Sequence, residues 1–357
     1  MKSPFICLFT CFFILMAPAQ KKSISLDQIW DGSFRTQEMI ALHSMNNGQQ
    51  YSVLNFDRSS RSTSIDLYDY KTLSKVKTIA TSQMMDAIPY FTNYTFSDDE
   101  RQVLLETETE PIFRYSLLGL YYVYNIRSES LEKVSDYKIQ EPAFSPDGTK
   151  VAYGRNNNIF IKDLISGTTK QITFDGEKNK IINGITDWVY EEEFAFVRAF
   201  EWNASSNKIA FIRFDETDVP EFSMDIYGTE LYQTQEVFKY PKAGETNAEV
   251  SLHFYDLSTE DISSIPLSKD YNDFYIPRIK WTKDPDVLSA QYMNRHQNSL
   301  DLWLINPTTN QSDLVLTDKD DAYVDVTDNL TFLKDNSFIW TSEKDGFNHI
   351  YHYAKDG

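Results

Sequence analysis

One short segment concentrates the side chains most able to do chemistry. It reads Asp187-Trp188-Val189-Tyr190-Glu191-Glu192-Glu193-Phe194, three consecutive carboxylates set among large aromatics. Clustered carboxylates repel one another and raise each other's pKa, so holding them in an apolar segment is worthwhile mainly where a cation is to be bound. A primary ammonium suits such a group, because its three N–H donors can bridge two carboxylates with charge-assisted hydrogen bonds. An arbitrary Glu triplet is more often a solvated acidic turn, and the triplet alone does not separate the two. A glycosidase reading is discounted, since adjacent residues seldom supply opposed carboxyls ~5–9 Å apart.

Other chemistries are excluded by what the chain lacks. No Gly-x-Ser-x-Gly elbow occurs in the 357 residues, so no catalytic nucleophile is assigned within the chain. The five histidines (His43, His253, His296, His349, His352) stand in ordinary strand or turn contexts. His349 and His352, three apart on a strand, fall on opposite faces and make a poor metal pair, so neither a metal nor any other cofactor is expected. The formal charge of −19 disfavours nucleic acid and anionic lipid and favours cationic ligands in a general way.

The N-terminus has a basic start at Lys2, an apolar run from Phe5 to Met16, and Ala17-Pro18-Ala19 before Gln20. That pattern predicts a signal peptide over 1–19 and export to the periplasm, cell surface or exterior. Both cysteines, Cys7 and Cys11, lie inside it, so the mature chain is expected to carry no thiol and to depend on packing alone.

The elements that must position the acidic segment recur along the chain. The clearest unit is Phe144-Ser-Pro-Asp-Gly-Thr-Lys-Val-Ala-Tyr153 followed by Ile159–Leu164, with Pro146-Asp147-Gly148 as the tight turn between hairpin strands. Related units begin near Phe96, Trp202, Trp281 and Phe332, and a weaker one surrounds Asn46-Asn47-Gly48. Outer strands of these units are read at Ile65–Tyr70, Tyr121–Ile126, Leu252–Leu257 and Leu300–Ile305. A repeat of roughly 50 residues with this hairpin predicts an all-β propeller of four-stranded blades, about six of them, over residues 20–357. Spacing is stretched just before Trp202 and wider again before Trp281, which places extra segments there, and insertions in repeat proteins tend to be functional. The chain ends on a strand running into a turn, Tyr351 to Gly357, so the propeller is expected to be truncated.

Three stretches, Asp187 to Phe194, Phe214-Asp-Glu-Thr-Asp-Val-Pro220 and Tyr240-Pro-Lys-Ala-Gly244, closely resemble the dipeptidyl peptidase IV group of the prolyl oligopeptidase family. The resemblance covers that family's N-terminal propeller, eight-bladed in the family, and not its C-terminal α/β-hydrolase domain. It implies that Glu192 and Glu193 bind the free amino terminus of a peptide, with Glu191, Tyr190, Trp188 and Asp187 in support. Arg114, in Phe113-Arg114-Tyr115-Ser116, matches the family's substrate-binding arginine, whose guanidinium can hold a backbone carbonyl. Tyr323 lies in a segment where the family places an aromatic at the substrate, without a settled match. The implied parent is an exported serine dipeptidyl peptidase releasing Xaa-Pro or Xaa-Ala dipeptides, with a homodimer as a candidate assembly and the hydrolase domain as the propeller's partner. This chain alone is expected to be inactive. The alternative is a non-catalytic propeller that captures peptide amino termini or a protein partner.

Overall fold

The computed structural model describes residues 23–36, 41–266 and 271–357, so the predicted signal segment 1–19 lies outside the described residues. The chain divides into two units, Met1–Ala41 and Leu42–Gly357. In the first, the helix Leu26–Trp30 opens with a reciprocal cap: Ser25 Oγ accepts from the Gln28 N–H, and the Gln28 side chain accepts from the Ser25 N–H. No described helix is long and apolar enough to cross a membrane.

The second unit is a succession of antiparallel sheets, the blades of a β-propeller. The first comprises Leu42–Ser44, Gln50–Asp57, Ser62–Asp69 and Lys75–Thr81, paired in chain order. The second and third repeat that meander from Asn93 to Lys133 and from Gln140 to Gln171. In the fourth, two short strands, Ile181–Asn183 and Phe200–Trp202, share the partner Lys208–Asp215, and Glu249–Asp256 and Asp261–Ser264 complete the sheet. The fifth, from Phe274 to Lys319, has the same divided first strand, and the sixth joins Thr331–Phe332, Phe338–Ser342 and His349–Tyr353.

The strands read from sequence as outermost are third in order instead. Ser62–Asp69, Leu117–Asn125, Glu249–Asp256 and Ser299–Asn306 each carry a further strand on their far edge. Two of those true edges are largely exposed: Asp261–Ser264 is exposed at every position, as are the first four residues of Lys75–Thr81. They lack the apolar alternation by which a strand is recognised in sequence, and charge on an edge discourages pairing with other chains.

The repeated turns lock one blade to the next. In the third blade Gly148 takes φ +68°, which a glycine adopts without strain, and Ser145 Oγ donates to Asp147 Oδ1 at 2.6 Å. Asn46 Nδ2 donates to Asp98 O (2.8 Å), Gln102 Nε2 to Gly148 O (2.8 Å), and the Asp147 N–H to Ser206 Oγ (3.0 Å). The series continues with Asn203 Nδ2 to Pro285 O (3.0 Å) and the Lys283 N–H to Asn336 Oδ1 (3.0 Å). Between blades lie apolar layers built from residues such as Ile159, Ile209, Phe211, Leu302 and Trp340, all essentially inaccessible.

Both stretched spacings in the repeat correspond to inserted elements. The helix Trp188–Phe194 stands between the two short strands of the fourth blade, and a hairpin, Glu221–Ile226 with Thr234–Lys239, separates that blade's next two strands.

Candidate functional site

The acidic segment folds as the helix Trp188–Phe194 because both of its ends are tied. Asp187 is the N-cap, with extended backbone and its carboxylate accepting the Tyr190 N–H at 2.9 Å. Complete burial pushes the Asp187 carboxyl up to about 6, partly offset by the N–H groups around it. At the far end Ala195 turns into the left-handed region (φ 53°), while Arg278 Nη2 donates to Phe194 O at 2.8 Å. Arg278 is itself held by Asp328 and lies over the Phe196 ring, 4.8 Å from its centre.

Tyr190 is the helix's anchor. Its ring meets Phe194, Phe214 and Tyr275 edge-on at 5.1, 4.8 and 5.9 Å, and its hydroxyl accepts the Ile276 N–H at 2.7 Å. Burial holds the Tyr190 phenol well above its ordinary pKa, so it stays neutral. Trp188 packs on Tyr240, with ring centres 4.2 Å apart, which explains why the Tyr240–Gly244 stretch accompanies the acidic one in space.

With the helix fixed, its three glutamates have different environments. Glu191 is 1% exposed and accepts the N–H groups of Tyr115 and Ser116, the latter at 2.9 Å. It thereby holds the loop that connects the strands Gln102–Pro111 and Leu117–Asn125 of the second blade. That loop is tightened further by Ile112 N–H to Ser116 O (2.9 Å) and Phe113 N–H to Ser116 Oγ (3.2 Å). It presents Arg114, whose Nε lies 2.9 and 3.2 Å from the two Glu192 carboxylate oxygens. The Arg114 side chain is 64% exposed, so this pair contributes little to stability. Its two Nη groups make no hydrogen bond to described residues, and Glu193, exposed at the helix end, makes none from its carboxylate either.

The structure therefore brings Arg114 together with Glu191 and Glu192, with Glu193 next along the same helix. Asp187, Trp188 and Tyr190 form the helix's supports. Tyr323 stands apart: it is 61% exposed and lines a separate cleft of about 200 Å³ with Val324, Asp325 and Lys344. His349 faces Asp345 and His352 faces Ser337. Among the described residues no group of three or more His, Cys, Asp or Glu side chains is arranged to hold a metal ion.

Some participants had no sequence signal. Burial raises the Glu141 carboxyl, Arg198 offsets this, and the charges of Glu106 and Glu191 add to it, so carboxylates from three different blades gather here. Arg278 supports the helix from a position 84 residues beyond Phe194. Asp187, in contrast, was readable as a cap, since an Asp immediately before an aromatic run is a helix-start signal.

Residues 97–357 match the family model described as the dipeptidyl peptidase IV (DPP IV) N-terminal region. The chain is 28% identical over 358 residues to human prolyl endopeptidase FAP, covering 94% of this chain and 45% of that protein. The crystal structure of Porphyromonas gingivalis dipeptidyl peptidase 4 superposes with a TM-score of 0.87 at 37% identity, over 94% of this chain and 48% of that one. The chain thus spans about half the length of these relatives. On the family match and on this likeness of fold, the chain belongs to the dipeptidyl peptidase IV N-terminal-region family.

Proposed function

We propose that this chain is the substrate-reading propeller of an exported serine dipeptidyl peptidase that releases Xaa-Pro or Xaa-Ala dipeptides from free peptide amino termini. The observation that carries this reading is the contact between Arg114 and Glu192 on a doubly tied helix, with Glu193 beside it and unpaired. A peptide ammonium donates hydrogen bonds to the Glu192 and Glu193 carboxylates, and the unengaged Nη groups of Arg114 are donors for the first carbonyl. Fixing the amine at a set distance from a nucleophile measures two residues and excludes blocked termini. The nucleophile, its histidine and aspartate, the oxyanion donors and the proline pocket are assigned to a hydrolase domain outside these 357 residues. Peptides with free N-termini are the ligands, and a homodimer is the proposed assembly.

The test is to express the longest reading frame that contains this chain and assay Gly-Pro-nitroanilide beside a Glu192→Gln/Glu193→Gln variant. Loss of two charge-assisted bonds is expected to lower kcat/KM by about 100-fold or more on free amines, leaving residual turnover of blocked substrates unchanged. Unaltered turnover of free substrates by the double variant would refute the assignment. Peptide binding without any hydrolysis would make the chain a binding propeller instead.

A further inference from the structure

Behind the Arg114 loop is a cavity of about 500 Å³ that touches neither Arg114, Glu192 nor Glu193. Its walls come from the loop (Phe113), the start of the acidic helix (Asp187, Trp188), the inserted hairpin (Phe238) and Glu216. Phe113 and Phe238 are in ring contact at 5.7 Å, so the hairpin and the loop close over the same space. Glu216 is 6% exposed, and its carboxylate makes no hydrogen bond or ion pair with any described residue. Only its backbone is engaged, the N–H donating to Lys180 O at 2.7 Å. Lys239 offsets its charge only from a distance and gives it no hydrogen bond, because Lys239 Nζ is committed to Thr217 O (3.1 Å) and Val219 O (2.8 Å) and lies 3.8 Å from Glu221.

A buried carboxylate without a partner is costly, and a cation that enters its cavity removes that cost. A metal ion is a poor candidate, since the three carboxyls that line the cavity, Asp187, Glu216 and Glu236, are not grouped to hold one among the described residues. Aromatic walls around an anionic floor suit an organic cation, through ring faces and a direct ion pair together. We propose that this cavity binds an organic ammonium group, with Glu216 as counter-ion and the Phe113, Phe238 and Trp188 rings as walls. The cavity touches none of the proposed peptide-amine ligands, and it shares with that site the helix that Asp187 caps and the loop that carries Arg114. Burial, reinforced by the Asp187 charge, pushes the Glu216 carboxyl up to about 7. Asp187, Asp215 and Glu236 face it as anions and Lys178 and Lys239 as cations, so binding is expected to tighten as pH rises from 6 to 8 and Glu216 loses its proton.

The probe is benzylammonium chloride, titrated calorimetrically into the 357-residue chain at pH 8, with benzyl alcohol as the uncharged control. Expected are saturable binding of the ammonium, none of the alcohol, and affinity about 10-fold or more weaker in Glu216→Gln, as for loss of one buried ion pair. Phe238→Ala, on the hairpin, is expected to weaken binding without touching a charge. Glu192→Gln/Glu193→Gln is expected to bind as the parent does. No binding by the parent chain, equal binding by Glu216→Gln, or equal binding of benzyl alcohol overturns the inference. Loss of binding in the Glu192/Glu193 variant alone also overturns it, and would place the probe at the peptide-amine site, leaving the proposed function standing.

Discussion

The third and fourth blades start from the same hairpin and end very differently. From Gln140 to Gln171 the third is an uninterrupted four-strand meander, and the polar side chains it buries most deeply, Ser145 and Asn158, are neutral and hydrogen-bonded. The fourth opens its first strand to admit a helix, admits a hairpin further on, and buries three carboxyl groups, Asp187, Glu191 and Glu216. A regular blade has every backbone group and apolar face satisfied by its neighbours, so it has little to offer a ligand. Of these two blades it is the interrupted one that buries carboxyl groups, whereas the regular first blade buries Asp66 with Lys75 and Thr78 as partners.

That division can be tested by asking whether the shared framework and the insertions fail separately. Ile159 in the third blade and Ile209 in the fourth are both fully buried, and truncation of either to Ala is expected to cost about 2–5 kcal/mol in urea denaturation. A cost below about 1 kcal/mol at one of them would mean that its blade is not part of a common core.

The next largest effect is expected at the join between regular and irregular parts. Glu191→Ala removes the acceptor of two backbone N–H groups and should cost about 2–3 kcal/mol. The loss should be concentrated in the Arg114 loop, seen as faster hydrogen exchange at Tyr115 and Ser116 while the third blade is unchanged. Exchange that rises equally in all blades would show that Glu191 stabilises the whole fold and does not specifically position the loop.

The smallest effect is one of pH. Asp187 and Glu216 have folded-state pKa values raised by burial to about 6 and about 7, from 3.8 and 4.5. A raised carboxyl binds its proton more tightly in the folded state, so its contribution is complete below the unfolded value and is lost as pH rises through the folded one. Stability attributable to this pair should therefore fall between about pH 4 and pH 7. Asp187→Asn/Glu216→Gln, which keeps an acceptor at the helix cap, should raise the unfolding free energy from urea denaturation more at pH 8 than at pH 5, by about 1 kcal/mol after allowance for relaxation around the buried groups. An equal change at both pH values would show that neither carboxyl titrates with folding.

Much of this architecture was written in local chemistry. Pro146-Asp147-Gly148 specifies a tight turn because glycine reaches φ +68° without a Cβ clash, and the equivalent turns of the first, second, fourth and sixth blades also carry a positive-φ residue, Gly48, Glu100, Ser206 and Asn336. Apolar alternation marks the strands that are covered on both edges, whereas Asp261–Ser264 was hidden because an exposed edge strand carries no such pattern. The stretched spacings located the insertions, and the triplet with its aromatic flanks located the acidic segment, whose helical form appears only in the structure.

What the triplet does was decided elsewhere. Successive residues on a helix point about 100° apart, so three adjacent glutamates cannot share one environment. Which of them is buried, paired or free depends on what lies opposite, and those partners come from the second blade, 75 to 78 residues earlier in the chain. The helix that orients them is short and marginal by itself, and it is held by Ile276 and Arg278 of the fifth blade. Residue types and turn chemistry act over a few positions and can be read from sequence. The pairing of Arg114 with Glu192, and the isolation of Glu216, arise only when blades distant in the chain are packed side by side.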